Sequence, residues 1–130
     1  MLDQWLLALT IFLEARGEPP EGQYAVAHVI MNRLADKRKR WGKDLKHVAL
    51  APKQFSCFND ARLTPVLLKL YKEPKAFADA MTIADHVLND SVADNTFGAN
   101  HYFADTIEAP TWADSNKQTC KIGHHLFYRL

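Results

Sequence analysis

Glu14 is the residue best placed for acid–base chemistry. It follows the apolar run Leu6-Leu7-Ala8-Leu9, Ile11-Phe12-Leu13 and sits three residues before Gly17. A carboxylate at the end of an apolar helix loses contact with water, and desolvation favours its neutral form. A carboxylic acid kept protonated near neutrality can donate a proton to a leaving oxygen. The other reading is a helix-end carboxylate paired with Arg16 or a neighbouring lysine. Glu18 lies four residues further on. Gly17 intervenes, so a shared helical face is not assured, and Glu18 reads first as a cap of the next helix or a contact to Arg16.

A second concentration of polar chemistry lies near the C-terminal end, in His101-Tyr102-Phe103 and Gly123-His124-His125-Leu126-Phe127-Tyr128. Strand alternation puts Tyr102 on the face opposite His101 and Phe103, and sets His124 against His125. Aromatic rings with polar tips suit a sugar cleft, where they stack on ring faces and bond hydroxyls. Phe103 and Phe127 read as core. Four histidines, His86, His101, His124 and His125, follow residue 85. A zinc site needs three or four converging ligands, and none of these spacings is of the H-E-x-x-H type. No metal and no cofactor is expected. Cys57 has no nucleophile signature around it, and no G-x-S-x-G elbow, P-loop or dinucleotide fingerprint is present. His28, between Ala27 and Val29, reads as a core or surface histidine.

The elements that must position these groups follow from periodicity. Leu2, Trp5, Leu6, Leu9, Phe12 and Leu13 recur at helical spacing, with Leu7 and Ile11 as a second strip, so residues 3–16 read as a helix apolar on most of its circumference. Such a helix sits centrally in a core. Gly17, Pro19 and Pro20 stop it. Residues 21–35 read as a second helix, with Ala25, Val26, Val29, Ile30 and Leu34 facing inward. The basic run Lys37, Arg38, Lys39, Arg40 reads as a solvated loop or an anionic-polymer contact. Residues 44–50 form a short helix before Pro52. Gln54-Phe55-Ser56-Cys57-Phe58 is extended, turning at Asn59-Asp60. Thr64-Pro65 opens a helix that Glu73-Pro74 breaks, and residues 75–89 form another. Residues 100–104 and 122–129 read as extended, joined by a loop holding Pro110 and Trp112. The expected class is α+β, mainly helical, with about five helices and a few short strands in one domain, 1–130.

Composition bounds the rest. The 130 residues are 48% hydrophobic and 24% charged, ordinary values for a globular domain. Lys plus Arg is 16 and Asp plus Glu is 15, a formal net of +1. That balance argues against a nucleic-acid partner, which would draw on a strongly basic chain. Cys57 and Cys120 are too few for a disulfide framework and read as two buried thiols or one bridge. No stretch reaches the ~20 apolar residues of a membrane span. Residues 5–13 are followed by Glu-Ala-Arg-Gly-Glu rather than a small-residue cleavage site, so no signal peptide is read.

Three ordered blocks carry a family resemblance over almost the whole chain. The first is Leu13-Glu14-Ala15-Arg16-Gly17-Glu18-Pro19, followed by Glu21-Gly22-Gln23, Ala25-Val26-Ala27 and Asn32-Arg33. The second is Gln54-Phe55-Ser56-Cys57 with Asn59-Asp60. The third runs from Gly98-Ala99 and His101-Tyr102 through Trp112 to Ile122-Gly123, His125 and Phe127-Tyr128. This pattern resembles the cell-wall hydrolase family typified by the catalytic domain of the spore cortex-lytic enzyme SleB. The resemblance implies a lysozyme-like fold and cleavage of the peptidoglycan glycan strand at the MurNAc–GlcNAc β-1,4 bond. It makes Glu14 the catalytic acid. Glu18, Gln54, Phe55, Ser56, His101, Tyr102 and His125 would bind substrate. Phe12-Leu13 stands where the family commonly has a Tyr-Gly pair, and the run at 37–40 is more basic than usual.

The implied reaction is lytic transglycosylation, closing a 1,6-anhydro ring with a single glutamate. A hydrolytic muramidase on the same fold is the alternative, and a non-catalytic peptidoglycan-binding module is the alternative of another class. Peptidoglycan glycan strands are the expected partner, with no nucleic acid, no membrane insertion and a monomeric chain. Lacking an export signal and a binding module, the chain suits a phage endolysin, held in the host cytoplasm until it reaches the periplasm and wall.

Overall fold

The structure, a computed structural model, describes residues 2–50 and 63–130. The expected Gln54-Phe55-Ser56-Cys57 segment and the Asn59-Asp60 turn lie outside these residues. Five α-helices occur among the described residues: α1 (Leu2–Ala15), α2 (Pro20–Leu34), α3 (Leu45–Leu50), α4 (Leu63–Lys72) and α5 (Pro74–Leu88). Strand β1 (His101–Ala104), a 3-10 turn (Ser115–Lys117), β2 (Gln118–Ile122) and β3 (His125–Tyr128) follow. The mainly helical α+β class is the one the periodicity indicates.

Helix α1 is the axis of the core. Its residues from Leu6 through Phe12 are all buried, as is Ala15, and α2, α3 and α5 pack around it. The one polar side chain in that run, Thr10, is satisfied by donating to the Leu6 carbonyl at 2.9 Å. Leu2 and Trp5 correct the expected stripe: they are 63% and 40% exposed, because the first turn of α1 lies at the surface. The main core joins Leu7, Ile11 and Phe12 to Val26 and Ile30 of α2, Val48 of α3, and Ile83 and Val87 of α5. Pro20 and Pro74 open α2 and α5 at first-turn positions, where the missing N–H leaves no helical bond unmade. Helix α4 begins at Leu63, so Thr64 stands inside it rather than before it.

The sheet is antiparallel in the order β1-β3-β2. Strand β2 falls where a loop was expected. Its register against β3 shifts between Gln118 and Cys120, which leaves Thr119 as an extra residue in a β-bulge. The span expected to be extended over 122–129 instead contains a hairpin turn. Ile122 pairs with His125 across the two residues Gly123 and His124. Gly123 has φ +57, which suits the first position of the tight turns that match strand twist. Alternation holds within β1 and β3, but His124, expected on the strand face opposite His125, sits in the hairpin turn instead. Tyr102 and Phe127 face the helices beside Ala25, Val29 and Ala99. His101, Phe103 and Tyr128 face outward, where Trp112 covers them with ring centroids 4.8, 5.8 and 5.4 Å away. Cys120 is a free, half-buried thiol, and burial raises its pKa.

Candidate active site

Glu14 sits half-buried in the last turn of α1. The chain then reverses through Gly17 into Glu18, whose N–H donates to the Ala15 carbonyl at 2.9 Å. This turn brings Glu18 against the β2–β3 hairpin. The His124 N–H donates to Glu18 Oε1 at 2.8 Å. His125 Nδ1 lies 3.4 Å from the same oxygen, and both side chains are only 10% exposed. Gly123 makes the approach possible, since a Cβ there would stand 2.8 Å from Glu18 Oε1. Burial lowers the His125 pKa, and the carboxylates of Glu18, Glu14 and Asp105 oppose that effect in that order. Tyr102 closes the group, with its ring edge-on to His125 at 5.0 Å. The structure therefore gathers Glu14, Glu18, Tyr102 and His125 at one end of the sheet.

His101 does not join them. It lies on the outer face between Trp41 and Trp112, at 5.6 and 4.8 Å. Its Nδ1 is 2.8 Å from Asn100 Oδ1. Burial, with the nearby charges of Arg33 and Arg40, lowers its pKa to about 4, so it is uncharged at neutral pH. Gln54, Phe55 and Ser56 lie outside the described residues.

Two residues of α2 shape this region, although the sequence reading gave them no role. Arg33 is 6% exposed. Its Nε donates to the Asn100 carbonyl at 2.6 Å, and its guanidinium lies over the Trp41 ring. Burial lowers its pKa to about 10, against the charge of Tyr102. Asn32 donates to Asp94 Oδ2 at 2.9 Å and to the Ala99 carbonyl at 2.8 Å. Together they hold the backbone that enters β1, and so the position of Tyr102. The signal was present: Arg33 continues the inward stripe Val26, Val29, Ile30 at helical spacing.

The geometry makes Glu18 a strut between α1 and the hairpin. Glu18→Ala removes the mostly buried carboxylate that accepts the His124 N–H and is expected to destabilise the fold by ~1.5–3 kcal/mol. Glu18→Gln keeps an acceptor oxygen and should recover most of that loss in urea unfolding. A Gln variant as stable as wild type but devoid of activity would instead give Glu18 a part in the chemistry.

The family described as Cell Wall Hydrolase matches residues 17–128. The spore cortex-lytic enzyme of Halalkalibacterium halodurans is 32% identical over 125 residues, which cover 96% of this chain and 34% of that protein. The spore cortex-lytic enzyme of Bacillus subtilis is 34% identical over 125 residues, covering 94% and 36%. The chain thus spans little more than a third of these curated relatives. Among solved structures, the catalytic domain of germination-specific lytic transglycosylase SleB from Bacillus anthracis is similar, with TM-score 0.75 and 28% identity, covering 98% of this chain and 93% of that one. The catalytic domain of the Bacillus cereus SleB protein matches with TM-score 0.67 and 28% identity, covering 98% and 89%.

Proposed function

The chain belongs to the Cell Wall Hydrolase family, and from that premise we propose that it is a peptidoglycan lytic transglycosylase with Glu14 as its single acid–base residue. The scissile link is the β-1,4 bond from N-acetylmuramic acid to N-acetylglucosamine. Glu14 gives its proton to the O4 leaving oxygen as the muramic C1–O4 bond breaks. Positive charge develops at C1. The same carboxylate, now ionised, takes the proton from the muramic 6-hydroxyl, and O6 closes onto C1. One bond is broken and one formed, no water is consumed, and Glu14 ends protonated for the next cycle.

One observation carries this reading over hydrolysis. A hydrolase of the common kind adds a second carboxylate, as nucleophile or as base for water. Besides Glu14, the carboxylates acting on His125 among the described residues are Glu18 and Asp105, and both are engaged. Glu18 accepts the His124 N–H, and Asp105 pairs with Lys121 at 3.3 Å. A relative's description as a lytic transglycosylase supports the same choice. Tyr102 and His125 line the glycan side of the acid in this reading. Mass spectrometry of soluble products from purified sacculi tests it. Muropeptides are expected to end in anhydro-muramic acid, lighter by one water than reducing ends. Products with only reducing muramic ends would make the chain a muramidase. Binding to sacculi without release of any fragment would make it a non-catalytic wall-binding module.

A further inference from the structure

The basic run at 37–40 folds against the end of α2 and forms one wall of a cavity. Asp36 folds it back. The Arg40 N–H donates to Asp36 Oδ2 at 3.0 Å, and the Arg40 guanidinium pairs with Asp36 Oδ1 at 3.0 Å. Arg40 also lies 4.3 Å over the Trp41 ring and donates to the Leu130 carbonyl at 3.3 Å. Lys37 and Arg38 stay exposed on the same loop. Arg129 comes to them from beyond β3, and its guanidinium rests on Gly98, where a Cβ would stand 3.3 Å from the nearest nitrogen. These side chains border a cavity of about 450 Å³, within the usual range for small-ligand sites.

The charge around it is one-sided. Lys37, Arg38, Arg40 and Arg129 face one side-chain carboxylate, Asp36, with the backbone oxygens of Leu130 also on the rim, so cations outnumber anions here in a chain whose formal net charge is only +1. Arg40 alone of the four is ion-paired among the described residues. The dipole at the C-terminal end of α2 accounts for cations in the loop that follows it. It does not account for Arg129, which arrives from the sheet.

We propose that this cavity binds the carboxylates of peptidoglycan stem peptides, as a second contact remote from the cleavage site. The inference rests on the reading of the chain as a peptidoglycan lytic enzyme. Guanidinium forks pair with carboxylates through two parallel bonds. In peptidoglycan the negative charge sits on the peptides, while the glycan that reaches Glu14 is largely neutral. The cavity lies at the far end of α2 from the Glu14–Glu18 turn, about 20 Å along a helix of this length. A group hanging from the glycan can span that distance, and the reacting sugar pair cannot occupy both sites.

The test compares intact sacculi with glycan stripped of peptides by an amidase. It uses wild type, the double variant Arg38→Ala/Arg129→Ala, and Lys37→Glu as an independent change on the same rim. All the substituted side chains are exposed, and thermal midpoints are compared first. Pelleting of wild type with intact sacculi should weaken as salt rises. Both variants should bind intact sacculi roughly 2- to 30-fold more weakly, while cleaving stripped glycan at the wild-type rate. Variants that bind intact sacculi like wild type would overturn the proposal, and so would equal losses on stripped glycan. Weakened binding confined to walls that carry phosphodiester polymers would overturn it in favour of phosphate. Wild type that cleaves stripped glycan in any of these cases leaves the enzymatic reading standing. Wild type that cleaves neither substrate sinks both.

Discussion

Glu14→Gln is expected to lower the rate of peptidoglycan lysis by ~10²–10⁴-fold, the contribution of one well-placed proton donor. Gln matches Glu in size and keeps a polar group where α1 meets the surface, so the fold should be untouched. It has no proton to give to the leaving oxygen and cannot take one back from the 6-hydroxyl. Both halves of the proposed reaction therefore fail together. Turbidity loss of purified sacculi gives the rate, and an unchanged thermal midpoint shows that the variant is folded. Activity within tenfold of wild type would move the acid elsewhere. Pelleting with sacculi should persist in the variant, because the surfaces proposed to hold the wall are unaltered.

The second large effect is on stability. Phe12 is fully buried, meets Phe77 of α5 edge-on at 5.9 Å, and carries the Arg16 guanidinium 5.0 Å over its ring. Phe12→Ala should cost ~3–5 kcal/mol from lost transfer energy and the cavity left behind. Domains of this kind are held by ~5–15 kcal/mol in total, so the urea midpoint should fall by a large fraction. Phe12→Leu, which fills most of the space, should cost far less. An Ala variant with a wild-type midpoint would mean that α1 is not the axis of the core. Arg16 also donates to the Phe12 carbonyl and pairs with Glu73 at 2.9 Å. The ring is thus part of what fixes the last turn of α1, where Glu14 sits.

What the sequence made legible follows from how strongly each segment is patterned. Helices α1, α2 and α5 were readable because their apolar residues repeat at helical spacing over fourteen or fifteen residues. Strand β2 was not, since Gln-Thr-Cys-Lys-Ile is largely polar, sits at a sheet edge and is interrupted by a bulge at Thr119. The separation of His101 from Tyr102 was legible, because a strand's period of two depends on nothing beyond the strand. Glu14 stood out through its place at the end of an apolar helix and through the block around it. The work of Glu18 could not be read, because its partners are the backbone of His124 and the ring of His125, more than a hundred residues away in sequence. Arg33 was overlooked because a cation on an inward stripe reads as an exception until the carbonyl it holds is seen.

The contact between Glu18 and the hairpin has a mechanical consequence. A charge-assisted hydrogen bond to the mostly buried Glu18 carboxylate, at roughly 1.5–3 kcal/mol, keeps the detached state below about a tenth of the molecules. The hairpin is therefore a fixed jaw rather than a flap. Its tip moves with the end of α1, so the spacing between Glu14 and the Tyr102–His125 wall stays constant, and the proposed cleft keeps one width there. In the proposed reaction, any widening needed to admit a cross-linked or branched strand would have to come from another part of the rim.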